Sequence, residues 1–148
     1  MKIKSIKAAE TTDIRHRILR TGQPIKTCFY PGDNAQDTFH LGVFENNMLV
    51  SIGSFYSENQ PALPYATQCR FRGIATLPEY RNRGFAEAVI KSAIERLKTK
   101  GVEAIWCNAR TSALGLYKKL GFKIVSDEFV IEGIGPHLVM TLRLDTFL

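Results

Sequence analysis

The strongest periodic signal in this chain is an amphipathic helix that lies between two strand-like segments. Apolar residues recur there at steps of three and four, the spacing of one helix face: Ala86, Val89, Ile90, Ala93, Ile94 and Leu97. Gly101 follows as a C-terminal stop. The segments on either side, residues 66–76 and 102–107, have the composition of strands. A helix with one apolar stripe has to bury it, so this part of the chain is constrained to a sheet with a helix on its face.

The rest of the chain adds further strands and two shorter helices. The predicted elements are a strand over 1–7, a helix over 14–19, a hairpin of strands 39–43 and 49–55, a helix over 112–120, and closing strands over 123–132 and 137–144. Three polar residues are placed to cap the first helix: Thr11, Thr12 and Asp13. Asn46-Asn47 suits the tight hairpin turn, and residues 30–37 and 57–64 are expected to be loops. The order predicts one domain over residues 1–148, with a mixed sheet and helices on its faces.

The composition is that of an ordinary globular protein. With 148 residues, 45% of them hydrophobic and 23% charged, the chain differs from disordered sequences and from small disulfide-stabilised scaffolds. Twenty Lys and Arg against fourteen Asp and Glu give a net charge of +6. This bias suits a phosphate-bearing ligand, nucleic acid or an acidic substrate without choosing among them.

Missing motifs exclude several kinds of site. The histidines are isolated, without HExxH spacing, so no metal site is expected: His16, His40 and His137. The absence of GxSxG, GxxxxGK[ST] and GxGxxG argues against serine hydrolases, P-loop NTPases and Rossmann enzymes. The cysteines form no CxxC pair and are expected to be reduced, buried thiols of a cytoplasmic protein: Cys28, Cys69 and Cys107. No apolar run approaches the ~20 residues of a membrane span, so no membrane partner is expected.

The junction between the 66–76 strand and the long helix has the features of an anion site. Its turn carries Arg81, Arg83 and Gly84 and leads into a helix whose first N–H groups have no partner within the helix. Gly84 lets a ligand approach the backbone closely, and Ala86 is too small to block it. The helix dipole adds ~0.3–1 kcal/mol for a bound anion. These features predict a pyrophosphate site.

A second segment, which follows the next predicted strand, completes a pair of motifs. It carries an AxxxYxxxGF pattern: Ala113, Tyr117, Gly121 and Phe122. The first segment carries [QR]xxGx[GA]: Arg81, Gly84 and Ala86. In this order and at this separation, the two patterns resemble the signature of the GNAT superfamily of N-acetyltransferases. The match covers residues 74–122, and the order of elements along the whole chain agrees with that fold.

The resemblance implies a fold, a cosubstrate and a group of site residues. The fold is α/β, with a mixed, mostly antiparallel sheet of about six to seven strands flanked by helices. The cosubstrate is acetyl-CoA, and no metal takes part. The residues implied to contact acetyl-CoA are Ile74, Ala75, Thr76, Arg81, Asn82, Arg83, Gly84, Phe85, Ala86, Asn108 and Ser112. The Thr76 N–H is implied to bind the thioester carbonyl.

Tyr117 is implied to be the general acid that protonates the leaving CoA thiolate. A phenol with a pKa of ~10 stays protonated at neutral pH and can donate to a developing thiolate. Packing within the apolar face of its helix is the alternative role for Tyr117.

The sequence departs from the family pattern at two places that matter for chemistry. Many members have Asn seven residues before the tyrosine, whereas this chain has Arg110 there and Asn108 two positions earlier. Either residue could therefore contact CoA. The 66–76 strand carries Arg70 and Arg72 but no carboxylate, so no base for the acceptor amine is evident. A water chain could serve, or one of four side chains expected at the surface: Asp33, Glu58, His40 and His137.

The acceptor is left open by the sequence. The resemblance implies that residues 20–56 build its site, and their chemistry is mixed: Arg20, Gln23, Tyr30, Asp33, His40 and Tyr56. The partner is expected to be a small-molecule or peptide amine, not nucleic acid, and the resemblance makes a homodimer plausible. Two alternatives stand beside this interpretation. The net charge favours a basic nucleic-acid-binding module, and a CoA-binding pseudoenzyme without turnover has the same motifs.

Overall fold

The computed structural model describes residues 1–144, which form a mixed sheet of eight strands flanked by helices. The strands are β1 (Lys2–Ile6), β2 (Phe39–Glu45), β3 (Met48–Ser57), β4 (Gln68–Thr76), β5 (Ala104–Arg110), β6 (Lys123–Ile124), β7 (Phe129–Ile131) and β8 (Gly135–Arg143). Their order across the sheet is β1-β2-β3-β4-β5-β8-β6, and β7 also pairs with β8. β4 and β5 run parallel, and the other paired strands are antiparallel. The expected fold class is confirmed.

Three α-helices and several short helical turns connect the strands. The helices are α1 (Thr12–Ile14), α2 (Phe85–Thr99) and α3 (Leu114–Lys119). A π-helical turn (Arg15–Leu19) continues α1, and 3₁₀ turns occupy Ala8–Thr11, Ile25–Cys28, Pro78–Tyr80 and Thr111–Ala113. The long helix lies where its periodicity predicted it, because its apolar stripe is buried in the core against the sheet.

The first helical segment begins earlier than predicted. It starts at Ala8, where the Glu10 carboxylate accepts the Lys7 N–H at 2.9 Å. Thr11, one of the three expected caps, donates its hydroxyl to the Ala8 carbonyl at 2.6 Å instead. The expected cap is therefore wrong, because the segment starts at Lys7 and Ala8, where the Glu10 side chain accepts the N–H of the residue three positions before it.

The predicted strand over 123–132 is two short strands in the structure. β6 ends at Ile124 and β7 begins at Phe129, and both pair with β8. Between them, the Ser126 hydroxyl accepts the Val139 N–H at 2.8 Å. This side-chain bond replaces a ladder bond and interrupts the pairing. The prediction of one continuous strand over 123–132 is therefore wrong, and the sheet has more strands than expected.

Strand register separates the side chains of the sheet into two faces. One face is apolar and packs into the core with α2: Phe39, Phe55, Phe71, Ile105, Cys107 and Met140. The opposite face carries polar side chains and one tryptophan: His40, Ser54, Tyr56, Arg70, Arg72, Trp106, Asn108, Arg110 and His137. Because side chains alternate along a strand, this separation follows directly from the pairing of the strands.

The parallel strands β4 and β5 pair briefly and then diverge. Their pairing ends at Arg70 and Trp106. β4 continues along β3 to Thr76, and β5 continues along β8 to Arg110. The sheet therefore has a gap between β4 and β5 where backbone groups on the facing edges have no strand partner.

A β-bulge in β4 lies beside this gap. A register shift between Ile52 and Ser54 of β3 leaves two residues of β4 opposite one of β3. Within the bulge, Gly73 has a φ of 68°, a left-handed conformation that glycine adopts without strain. A bulge bends and twists its strand, so it turns the last residues of β4 away from β5.

Candidate active site

The larger of two adjoining cavities lies at the N-terminus of α2 and has a volume of about 820 Å³. Its lining includes most residues that the sequence implies for acetyl-CoA: Ile74, Ala75, Thr76, Arg81, Asn82, Gly84, Phe85, Ala86 and Ser112. Residues without a sequence signal complete the wall, among them Ile18, Tyr80, Gly115 and Leu116. Arg83 and Asn108 lie outside this lining.

The turn before α2 presents its backbone to the larger cavity. Asn82 and Gly84 have φ values of 62° and 80°, and no side chain caps the helix. A Cβ on Gly84 would meet no described atom within 4 Å, so the space beside this backbone is open. The first bond within the helix runs from the Ala88 N–H to the Gly84 carbonyl at 3.0 Å. The N–H groups of residues 85–87 therefore have no helical partner and can bind an anion.

The two arginines of the turn are placed differently. Arg81 lines the cavity, and its Nε donates to the Thr76 carbonyl at 3.3 Å. Arg83 points elsewhere: its Nη2 donates to Glu45 Oε1 at 2.8 Å, and its Cζ lies 5.0 Å from the Phe85 ring centroid. The Arg83 side chain thus ties the turn to β2, and Arg81 is the arginine of the turn that faces the cavity.

The backbone of Thr76 faces the gap between β4 and β5. The Leu77 N–H donates to the Val50 carbonyl at 2.9 Å. Because alternate residues of an antiparallel strand turn their backbone groups to opposite sides, the Thr76 N–H is directed away from β3. An extended ligand laid into the gap could bind this edge as an added strand would.

A smaller cavity of about 300 Å³ adjoins the first. Its polar lining comes from the polar face of the sheet and from the two segments that cover it: Arg20, Tyr30, Arg70, Arg72, Asn108, Arg110 and His137. Ile74, Ala113 and Tyr117 line both cavities. The two spaces therefore meet at the gap, where a group held in one can reach a group held in the other.

Tyr117 stands where the two cavities meet. Its ring packs edge-on against Phe71, with centroids 5.4 Å apart, and 8% of the residue is exposed. Within residues 1–144 the Tyr117 hydroxyl has no hydrogen-bond partner. Its oxygen is not completely enclosed by protein atoms. Burial raises the pKa of Tyr117 well above its ordinary value. The phenol is therefore protonated at neutral pH and can donate to a ligand atom.

His137 lines the smaller cavity and has a defined ring orientation. Its Nδ1 lies 2.8 Å from the Gly135 carbonyl oxygen. A carbonyl only accepts, so Nδ1 carries the hydrogen, and the Nε2 of the neutral ring is left to accept one. His137 is 4% exposed, so its expected surface position is wrong. It is buried because β8 places it on the polar face, directly opposite Arg110.

The other expected base candidates have partners in the structure. The Glu58 carboxylate accepts from Arg70 Nη1 at 3.1 Å. The His40 ring contacts the Ser54 hydroxyl at 2.7 Å and the Asp33 carbonyl at 2.9 Å. His40 and Asp33 are both buried, so their expected surface positions are also wrong.

Asp33 belongs to a buried ion pair that the sequence does not reveal. Arg15, fully buried, donates to both Asp33 carboxylate oxygens, at 2.6 and 3.0 Å. It also donates to the Ser54 hydroxyl at 2.8 Å, and the Tyr56 hydroxyl donates to Asp33 at 2.6 Å. Burial raises the pKa of Asp33, but the hydrogen bonds from Arg15, Tyr56 and the Tyr30 N–H outweigh it and hold the pKa below its ordinary value. A carboxylate so occupied is a poor proton acceptor.

Asn108 and Arg110, the alternative CoA contacts, both lie on β5, because the strand continues beyond its predicted end at residue 107 along β8. Both line the smaller cavity and neither lines the larger one. Of the residues expected around the acceptor, Arg20 and Tyr30 line this cavity. Sequence reasoning missed Arg72 as their neighbour, because no motif connects a strand arginine with a loop tyrosine.

Solved structures that share this architecture include two N-acetyltransferases. The chain superposes on the ribosomal-protein-S18-alanine N-acetyltransferase of Escherichia coli with a TM-score of 0.78 at 18% identity, covering 99% of this chain and 96% of that one. It superposes on an aminoglycoside 6'-N-acetyltransferase complexed with coenzyme A with a TM-score of 0.75 at 10% identity, covering 100% and 99%. These likenesses show that the chain shares the fold of both proteins.

Sequence comparison identifies the family. Residues 8–122 match the model of the acetyltransferase (GNAT) family. The chain is 47% identical over 145 residues to the uncharacterized N-acetyltransferase YitI of Bacillus subtilis, covering 97% of each. The chain therefore belongs to the GNAT family of acetyltransferases, as the two sequence motifs predicted.

Two further features are absent from residues 1–144, a cluster of metal ligands and a helix that could cross a membrane. In that part of the chain, no three His, Cys, Asp or Glu side chains gather closely enough to hold a metal ion. None of its helices has both the length and the apolar character needed to cross a membrane.

Proposed function

We propose that this chain is a single acetyltransferase domain that transfers the acetyl group of acetyl-CoA directly to a primary amine. The observation that carries the proposal is the meeting of two cavities at Tyr117, one with the lining expected for acetyl-CoA and one free for an acceptor. The three cysteines are unpaired and buried, which fits a reducing compartment such as the cytoplasm.

The larger cavity supplies the groups needed to hold acetyl-CoA. The free N–H groups of residues 85–87, together with Arg81, bind the pyrophosphate, and the open space beside Gly84 lets its oxygens approach the backbone. The pantetheine arm lies in the gap along β4. There the Thr76 N–H donates to the thioester carbonyl and stabilises the negative charge that its oxygen gains during attack.

The chemistry requires two proton transfers at the gap. The acceptor nitrogen attacks the thioester carbon, so an N–C bond forms and the C–S bond breaks. The nitrogen loses a proton to His137 Nε2, directly or through water, and the departing sulfur takes a proton from the Tyr117 hydroxyl. Proton transfer through solvent then restores both side chains.

Gly84→Asp tests the cofactor site. We expect acetyl-CoA affinity to fall about 30-fold, or ~2 kcal/mol, because the new carboxylate occupies the space of the pyrophosphate and repels it. Isothermal titration calorimetry measures the effect. Gly101→Asp is the matched control, because Gly101 also has a positive φ, 76°, and open space, but lies at the other end of α2.

Equal acetyl-CoA affinity in Gly84→Asp and Gly101→Asp would show that the pyrophosphate does not bind at the turn before α2. If the unaltered protein binds no acetyl-CoA but binds oligonucleotides with steep salt dependence, the basic nucleic-acid module is correct instead. If it binds acetyl-CoA but releases no thiol with any amine, it is a pseudoenzyme.

His137→Gln tests the proton acceptor. The amide keeps the size and polarity of the ring but cannot take up a proton, so we expect kcat to fall about 100-fold near neutral pH. Raising the pH should recover part of the rate, because more of the acceptor amine is then already deprotonated. The release of CoA thiol, measured from pH 6 to 10, gives this dependence of the rate on pH. His16→Gln, at a half-buried position outside both cavities, is the control. A uniform loss of rate across the pH range would contradict the role of His137.

A further inference from the structure

The smaller cavity is lined by several cationic side chains and by no acidic one. Four arginines contribute to its wall: Arg20, Arg70, Arg72 and Arg110. Across the part of the chain that the structure describes, no Asp or Glu contributes to the lining. Any acceptor that enters this cavity therefore meets positive charge and no carboxylate that could bind a second ammonium group.

Within residues 1–144, three of the four arginines have no anionic partner, and two of these three have no hydrogen-bond partner either. Arg70 is paired with Glu58 at 3.1 Å. Arg20 donates to the Leu19 carbonyl at 3.3 Å and lies over the Tyr30 ring. Within residues 1–144, however, neither Arg72 nor Arg110 has a hydrogen bond or an ion pair with a protein group. Their guanidinium groups keep all their donors available for a ligand.

Arg72 is also held in place before any ligand binds. Its Cζ lies 4.2 Å from the centroid of the Tyr30 ring. The same ring lies 3.9 Å from the Cζ of Arg15, the buried arginine that Asp33 holds. Arg72 is half-buried, and its burial and then the neighbouring Arg70 lower its pKa. A bound anion would offset this unfavourable environment, and the fixed guanidinium would lose little freedom on binding it.

We propose that the acceptor is a small amine that also carries an anionic group, foremost a carboxylate, and that Arg72 and Arg110 bind this group. The proposal rests on the proposed function, since it names the substrate class of that same site. The cavity volume of about 300 Å³ suits a ligand of amino-acid size. Polyamines and other polycations are disfavoured, because their extra ammonium groups would face the arginines.

The test compares acceptors that differ in one group. Several amino acids are assayed for CoA release, each beside its carboxamide, its decarboxylated amine and its aminophosphonate analogue, with spermidine as a polycation. We expect kcat/KM for the acid to exceed that for its amide by about 10- to 100-fold, the effect of a charge-assisted hydrogen-bonded pair. A preference for the phosphonate over the carboxylate would identify the anion as a phosphate-type group.

Arginine variants test whether Arg72 and Arg110 cause the preference for the acid over its amide. Arg72→Gln and, at an exposed position, Arg110→Gln should each reduce the acid-to-amide ratio to within about threefold of unity. Arg110→Gln keeps the test valid if Arg72→Gln folds poorly. Arg17→Gln, which alters an exposed arginine outside both cavities, should leave the ratio unchanged.

Binding is measured separately from turnover, so that the two proposals can fail independently. Calorimetric titration of each acid and its amide, with and without CoA, reports anion preference even where no product forms. Tighter binding of the acids, lost in the arginine variants, supports the proposal. It is overturned if amides or spermidine bind and react as well as the acids. In contrast, absence of acetyl-CoA binding would overturn the proposed function alone.

Discussion

Tyr117→Phe is expected to lower kcat by about 10²- to 10⁴-fold while acetyl-CoA affinity stays within about twofold of the original. The phenylalanine keeps the ring packed against Phe71 but removes the proton donor at the meeting point of the two cavities. The hydroxyl acts when sulfur gains negative charge, which happens in the transition state and not in the bound ground state. The loss should therefore appear in kcat and leave binding almost unchanged.

The same substitution should leave the fold intact. Within residues 1–144 the Tyr117 hydroxyl has no protein partner, so its removal leaves no buried group unpaired, and the stability should change by less than about 1 kcal/mol. Tyr65→Phe, which deletes a phenol outside both cavities, is the control for a nonspecific effect. An unchanged kcat in Tyr117→Phe would make this residue a packing tyrosine, and a parallel loss of acetyl-CoA affinity would make it a binding residue.

Arg15→Met is expected to lower the free energy of unfolding by about 3–5 kcal/mol, because it leaves the buried Asp33 carboxylate without its counterion. It also removes the donors to the Ser54 hydroxyl and the Cys28 carbonyl. For a domain of this size such a loss lowers Tm by roughly 10 °C. Urea unfolding followed by circular dichroism measures it. Arg17→Met removes an exposed arginine of the same helical segment and should cost less than about 1 kcal/mol.

The contribution of the ion pair depends on pH in a defined direction. Because the pKa of Asp33 is lower in the folded chain than in the unfolded one, the pair contributes fully above about pH 4, the ordinary pKa of Asp. It is lost as the pH falls through the lowered folded-state value. The stability difference between the original protein and Arg15→Met should therefore shrink in acid. A difference that is constant from pH 7 to pH 3 would show that Arg15 acts by packing alone.

The parts of this molecule that could be predicted from sequence are those encoded by neighbouring residues. The stripe of α2 repeats within one helix, and the hairpin turn at Asn46-Asn47 depends on two adjacent residues with positive φ. The turn before α2 likewise combines Arg81 and Gly84 within four positions. In each case the signal and the structure occupy the same short segment, so tertiary packing had little to override.

The features that could not be predicted from sequence depend on contacts between distant segments. Arg15 and Asp33 are eighteen residues apart, and a helix arginine and a loop aspartate normally lie at the surface. Their burial follows from the pairing of β2 with β3, which sets Ser54 beneath the helical segment. Similarly, Arg72 and His137 share a cavity because two separate strands place them on one face of the sheet. No local pattern contains that information.

The gap between β4 and β5 also has an evolutionary consequence. Ile74, Ala113 and Tyr117 line both cavities, whereas the polar residues of the smaller cavity other than Tyr117, Arg72 and Arg110 among them, do not line the larger one. Selection can therefore reshape the acceptor side by single substitutions, such as the loss of one arginine, while the inherited cofactor side is retained. Proteins that descend from this chain can therefore change their acceptor while they keep the same site for the donor of the transferred group.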